Sequence, residues 1–573
     1  MIGPDRLRRA EYLIDTSGVV ELLLPVLRKD ARGPKYNSNK LRVFIIGCYL
    51  AIENQRTGSI QAIAKLVHTD LPLDAQYRLG IRNPTDGSLL ITLHDFYYLT
   101  KRFTERFGYG SSVPELFVDE DVENGISANE RTERHALLQQ MCRQLLDVTI
   151  VGPDATAFAI DATGIWSWGK GPRKPTRAEF AALLDDPDGA AELDDSANEP
   201  PRIDDGGHLV VGMKSVHDPD GGWGVKTSKA GKNEVFFGYH EHALLQVPGV
   251  GEDTDGAPRL IRAFELTPAN ADIVDVSLRL LDSVHSDGDG ERLLLADSHY
   301  HYKQFDRWWQ QLFRRRWNPL HDLRVDEQGF TEFDRMRWAA GHAHCPATPD
   351  PLGTIQRPAV TDKRSESHET FHKQIDLREA YAMVRHNLPD EQGAHRVMCP
   401  AIAGKVGCPL RDGTTAAATA LGLPFVVNPP DPNSAEGLPK CCTQKTVLTR
   451  PPAKIAKLSQ SRYWGSREWA NLYRRRTYVE GLFGNCKNSS TENLRRGLFH
   501  ITGLPLVHLM LTMVNVSYNL RMIENWQRRN LAADKPREML AADHPLLVDD
   551  SNIAGYRAVT HAEEYSANQA PAA

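Results

Sequence analysis

Residues 156–164 read TAFAIDATG. Ala157, Phe158, Ala159 and Ile160 run without a polar break into Asp161, and the turn formers Thr163 and Gly164 follow. An unbroken apolar run of this length, bounded by turn residues, predicts a strand covered on both faces that delivers a carboxylate at its end. RLLLA at 292–296 repeats the form and ends in Asp297. Between the two, 223–227, 235–246 and 259–266 read as further strands. A helix is expected over 271–284, capped by Asn270, with Ile273, Val276, Leu280 and Val284 inward. After Asp297, Phe305, Trp308, Trp309 and Leu312 mark another helix. Strands interleaved with helices predict an α/β core.

A single strand-end aspartate commonly caps the next turn. Two of them gain meaning from residues 473–487, YRRRTYVEGLFGNCK. Tyr473, Arg476, Glu480 and Lys487 stand at steps of three, four and seven, which on a helix places them within an arc of roughly 60°. Neighbouring cations keep a lone carboxylate ionised, which suits it to bind a metal ion beside a polyanion. A solvated basic helix face is the alternative. Three carboxylates from separate elements can hold two divalent ions about 4 Å apart, one activating the attacking oxygen and one stabilising the leaving oxygen. An all-oxygen site of this kind suits Mg2+.

In these motifs the chain resembles the DDE transposases of bacterial insertion sequences, in the subgroup with a Tyr-x2-Arg-x3-Glu-x6-Lys signature. Tyr473, Arg476, Glu480 and Lys487 match that spacing, AIDATG matches the first-Asp motif and LLADSHY the second. WGVKTSKAGKNEVFFGYHEHALL and FELTPAN also look like the family's core strands. The resemblance implies a ribonuclease-H-like core: a mixed sheet flanked by helices, with Asp161 and Asp297 on neighbouring strands and Glu480 on a helix. It implies that these three acids bind catalytic Mg2+ (or Mn2+), that Arg476 and Lys487 grip phosphates, and that Tyr473 positions the terminal backbone. The implied reaction is cleavage of double-stranded DNA at terminal inverted repeats, followed by attack of the freed 3′-hydroxyl on target DNA. A homodimer in the DNA complex is expected on the same ground. A nuclease on the same core and a non-catalytic DNA-binding derivative are the alternatives.

The net charge of −6 does not exclude DNA. Residues 177–205 alone hold ten carboxylates and two arginines, so the rest of the chain is slightly basic. The segment 177–207 is read as a disordered acidic insertion. Residues 1–150 are expected to form a separate helical domain, with 41–52 and a helix capped by Ser59 as a candidate helix-turn-helix for DNA ends. The core is expected over 151–317 and 466–530, with a β-rich or irregular inserted domain at 318–465 and a disordered tail at 531–573.

The inserted domain carries Cys345, Cys399, Cys408, Cys441 and Cys442, near His342, His344 and His395. Free buried thiols are the expectation there, and a structural Zn2+ site is the alternative, because Cys399-x8-Cys408 is not a close knuckle. His240 and His242 share a strand face and are expected at the surface or facing DNA rather than on a metal. Trp166 and Trp168 could stack on an unpaired base or pack the core. No apolar run suggests a signal peptide or a membrane span, so no membrane partner and a cytoplasmic location are expected.

Overall fold

The computed structural model describes residues 2–27, 37–108, 128–152, 154–169, 202–203, 209–210, 218, 220–227, 233–253, 256–284, 292–359, 361–362, 364–495, 497–532, 540–541 and 544–547. The chain is mixed α/β. Its central sheet has six strands: β1 (Ala157–Trp166), β2 (Gly222–Thr227), β3 (Asn233–Val247), β4 (Ile261–Pro268), β5 (Arg292–Leu295) and β6 (Trp317–Leu320). The long β3 runs antiparallel to β1 along one edge. Its other edge is shared end to end by β2 and β4, both antiparallel to it. On the far side of β1, β5 and then β6 lie parallel. The apolar runs read from the sequence are therefore the central strands, as burial on both faces requires.

Alternate residues of β1 enter different cores. Phe158 and Ile160 pack with Val274, Val276 and Leu280 of a helix over Ile273–Ser283, and with Trp308 and Trp309. Ala157, Ala159 and Ile165 face the other layer, with Val479, Leu482 and Phe483 of the helix Thr477–Lys487 and the apolar side of Leu504–Ala532. The first of these helices is capped by Asp272, whose side chain accepts from Val274 N at 2.8 Å. The cap is thus not Asn270. Asp272 stands directly before the first helical turn, where a cap must be to reach the free amides.

The described N-terminal residues are helical and form no named strand. Ser59 caps Ile60–Lys65 as expected, accepting from Ala62 N at 3.1 Å. The preceding helix, Ser38–Glu53, is buried along nearly its whole length. It packs on Leu504–Ala532, and one apolar cluster runs from the N-terminal helices through that long helix to the sheet. Arg9 ties the layers together by pairing with Glu53 and Glu524.

Trp317–Leu320 is a core strand, so the core extends past the expected boundary at 318. Beyond it lie two three-stranded sheets, one of Thr331–Phe333, Met336–Ala339 and His342–His344, the other of Val384–Arg385, His395–Met398 and Thr446–Thr449. The helix Ser365–Ala380 makes this insertion less purely β than its sequence suggests. The acidic insertion lies outside the described residues, except that Arg202–Ile203 pairs with Leu209–Val210. The described part of the tail is ordered, contrary to the reading of 531–573 as disordered. Leu546 is buried, its carbonyl accepts from Arg9, and His544 meets the Tyr12 ring edge-on. The remaining tail residues lie outside the description. Among the described residues no helix is long and apolar enough to cross a membrane.

Candidate active site

Asp161 is not at the end of its strand, because β1 continues for five more residues to Trp166. The Thr163-Gly164 pair that reads as a turn is strand. Gly164 is there because the Phe236 ring lies over it, and a Cβ would come within 2.7 Å of that ring. What ends near Asp161 is the neighbouring strand. The parallel register pairs Ala157 with Leu293 and Ala159 with Leu295. The paired register ends at Leu295, and two residues further on Asp297 lies near enough for its charge to act on Asp161. Asp297 itself leaves the sheet and starts the short helix Ser298–His301, accepting from His299 N at 2.6 Å.

The helical segment that carries the signature is not one regular helix. Arg467–Tyr473 is α-helical, Arg474–Arg476 forms a 3-10 turn, and Thr477–Lys487 is α-helical again. The tighter turn shifts the phase of Tyr473 relative to the residues after it. Tyr473, Arg476 and Lys487 nevertheless have their partners in one region, around Asp161 and Asp297. Tyr473 stacks on Trp469 and donates to the carbonyl of Ala296, next to Asp297, at 3.4 Å. Arg476 bonds Glu480 at 2.7 Å. Lys487 donates to the hydroxyl of Thr163, two residues beyond Asp161 on the same face of β1.

The electrostatics tie these groups together. Burial, with the like charges of Asp297 and Glu480, pushes the Asp161 carboxyl up to about 6, against the pull of the Ala162 amide and Arg476. Arg476 is raised despite its burial, because Tyr473, Glu480 and Asp297 face it. Asp161 thus lies within the fields of both Asp297 and Glu480, with Arg476 as the nearby compensating cation. Among the described residues no group of three or more His, Cys, Asp or Glu side chains stands in a geometry that could hold a metal ion. Three carboxylates without cations between them repel, and here Glu480 turns to Arg476.

Two residues to which the sequence reading gave no functional role belong to this region. Thr163 holds Lys487, and its position two residues after Asp161 on a strand was the available signal. Tyr300 lies fully buried below the acids, and burial followed by the fields of Asp161 and Asp297 pushes its hydroxyl far up. Its place at the end of LLADSHY, three residues after Asp297, was the available signal.

His240 and His242 do share a face, with ring centroids 6.0 Å apart. The surface reading fails for His242, which is buried and bonds Thr267 at 3.1 Å. It sits mid-sheet, between two antiparallel partners. His240 is partly buried near Lys487; burial first and that cation second lower it to about 4. Trp166 packs on Phe236, whereas Trp168 is 52% exposed and stacks on His500 at 3.7 Å. Of the arginine run, Arg475 is spent on the carbonyls of Pro248 and Gly249, while Arg474 is exposed.

Comparison with protein-family models, with curated proteins and with solved structures found no match to the chain.

Proposed function

We propose that the chain is a metal-dependent transposase of the DDE kind, built on a ribonuclease-H-like core. The reading rests on one observation above the others. Asp161 on β1 feels the charges of both Asp297, just past the end of β5, and Glu480 on the helix Thr477–Lys487. The sheet order is in keeping with it: β1 at the centre, antiparallel to β3 on one side and parallel to β5 and β6 on the other.

In this reading Asp161, Asp297 and Glu480 hold Mg2+ (or Mn2+), which supplies Lewis-acid activation of water or a 3′-hydroxyl and neutralises charge at the scissile phosphate. The residues' own part is positional. Arg476 releases Glu480 to the metal site and turns its fork of donors to a phosphate. Lys487, close to the strand face that carries Asp161, meets the backbone as a point charge. Tyr473, fixed by Trp469 and the Ala296 carbonyl, sets where the DNA end lies. The substrate is double-stranded DNA bearing the element's terminal inverted repeats, and the product ends are joined to target DNA by a pair of subunits.

The test is a cleavage and strand-transfer assay on DNA carrying the repeats that flank the reading frame, with Mg2+. Asp161→Asn, Asp297→Asn and Glu480→Gln are each expected to lose cleavage by at least about three orders of magnitude, while DNA binding stays within a few-fold. Retained cleavage in any one removes that residue from the assignment. Cleavage without joining would identify a nuclease instead.

A further inference from the structure

Four cysteines from four separate segments of the insertion line one cavity: Cys345, Cys399, Cys408 and Cys442. Its volume is about 10 Å³, room for a single body the size of a water molecule. We infer that these four thiols form a tetrathiolate site for one zinc ion, which staples the two small sheets of the insertion together.

The local backbone supports this at each position. Cys345, Cys399 and Cys408 each precede a proline, and each opens a tight turn: Thr348 N, Ala403 N and Arg411 N donate back to their carbonyls at 3.0 Å. Burial raises the thiols of Cys345 and Cys408, and the backbone N–H groups two residues on, at Ala347 and Leu410, act against it. Backbone donors aimed at sulfur favour the thiolate, which is the form that binds metal. Three of the four are buried, and no carboxylate lines the cavity, so the donors are sulfur throughout. A set of four sulfurs selects zinc or iron over magnesium or calcium.

The adjacent pair separates into two roles. Cys441 is buried in an apolar cluster with Trp338, Val397 and Val447, against which Cys442 also packs, and of the pair Cys442 alone lines the cavity. Of the nearby histidines, His344 bonds Tyr463 at 2.8 Å and the His342 carbonyl at 2.9 Å, His395 bonds the Gly393 carbonyl at 2.9 Å, and His342 lines a separate cavity with Arg385 and Tyr463. Four thiolates around Zn2+ leave a local charge of −2, and Arg411 lines the same cavity. Its Nη2 holds the 441–444 segment through the carbonyls of Cys441 and Gln444. Its Nε–H is buried and without a hydrogen-bond partner among the described residues. A thiolate beside it would fill that vacancy.

As they stand, the four sulfurs do not converge in ligand geometry, so binding draws them inward by rotation about their Cα–Cβ bonds. The step balances as one Zn2+ taken up and four thiol protons released, with no change of oxidation state. The ion would add a link between two sheets whose apolar packing is divided between a small cluster of their own and the main core, which takes in Cys345, Cys399 and Cys408.

The experiment is metal analysis of the full-length chain, purified without chelator from zinc-supplemented medium. One zinc per chain is expected, retained in Cys441→Ala and in Asp161→Asn, and lost in Cys399→Ala and in Cys442→Ala. Exchange of the wild-type chain with cobalt(II) is expected to give intense thiolate-to-metal absorption in the near ultraviolet, a readout that needs no variant to fold. A zinc-free chain, zinc that survives Cys399→Ala with Cys442→Ala, bound iron, or a cobalt form without that absorption would overturn the assignment. None of these outcomes bears on DNA cleavage.

Discussion

Replacing Asp161 by asparagine tests the electrostatic account of the site apart from its chemistry. The carboxyl ionises at about 6 in the fold against an ordinary 3.8. At 1.36 kcal/mol per pKa unit, holding it ionised costs the folded chain about 3 kcal/mol. The folded state binds this proton more tightly than the unfolded state does. The carboxyl is therefore harmless below pH 4, destabilises progressively as pH rises to 6, and exerts its full penalty above that. Asparagine removes the charge and keeps an oxygen for the Ala162 amide, which Asp161 now meets at 2.8 Å. In chelator, Asp161→Asn is expected to be more stable than the parent at pH 8 by up to about 3 kcal/mol, and equal to it near pH 4. Urea denaturation followed by tryptophan fluorescence at the two pH values measures this. A variant no more stable at pH 8, or a gain that persists unchanged at pH 4, refutes the reasoning. With Mg2+ present the difference should shrink, because only the parent gains binding energy from the metal.

Other expectations follow from particular pairs. Lys487→Ala should weaken binding to DNA ends and flatten the slope of log K against log salt by about 0.9, as one lost phosphate contact requires; an unchanged slope in a filter-binding series counts against the contact. Glu265 is buried, which raises its pKa, but His135 and Arg279 outweigh this and hold it down to about 2. Its stabilisation is present above the ordinary range near 4.5 and is lost as pH falls toward 2. Glu265→Gln should thus lower the urea midpoint at pH 7, with the difference closing below about pH 4; a deficit constant with pH would show that packing, not charge, was lost. Arg521 meets Glu492 through two bonds of 2.9 Å, with both side chains buried. Arg521→Leu should cost about 3–5 kcal/mol by stranding Glu492, and adding Glu492→Gln should restore a good part of it in the same denaturation assay.

Much of the core was legible because its signals are local. The apolar runs before Asp161 and Asp297 could be covered strands or nothing stable, and the Ser59 cap needed only its own side chain and the amide three residues on. Glu480 and Lys487 likewise carry their helical phase within one helix, whereas the 3-10 turn at Arg474–Arg476 that shifts Tyr473 could not be read from the spacing. Other features depend on partners distant in the chain. Thr163-Gly164 reads as a turn until Phe236 is seen lying over the glycine, and His242 reads as exposed until Thr267 covers it. The approach of Asp297 to Asp161 follows from the parallel register of their strands, and register is set by which surfaces bury together rather than by either strand alone. The same holds for the cysteines. Their spacing suggests no knuckle, because the four segments that carry them meet only after the two small sheets fold. Side-chain periodicity and capping are written residue by residue; convergence of groups a hundred or more positions apart is decided by packing, and only the folded chain contains it.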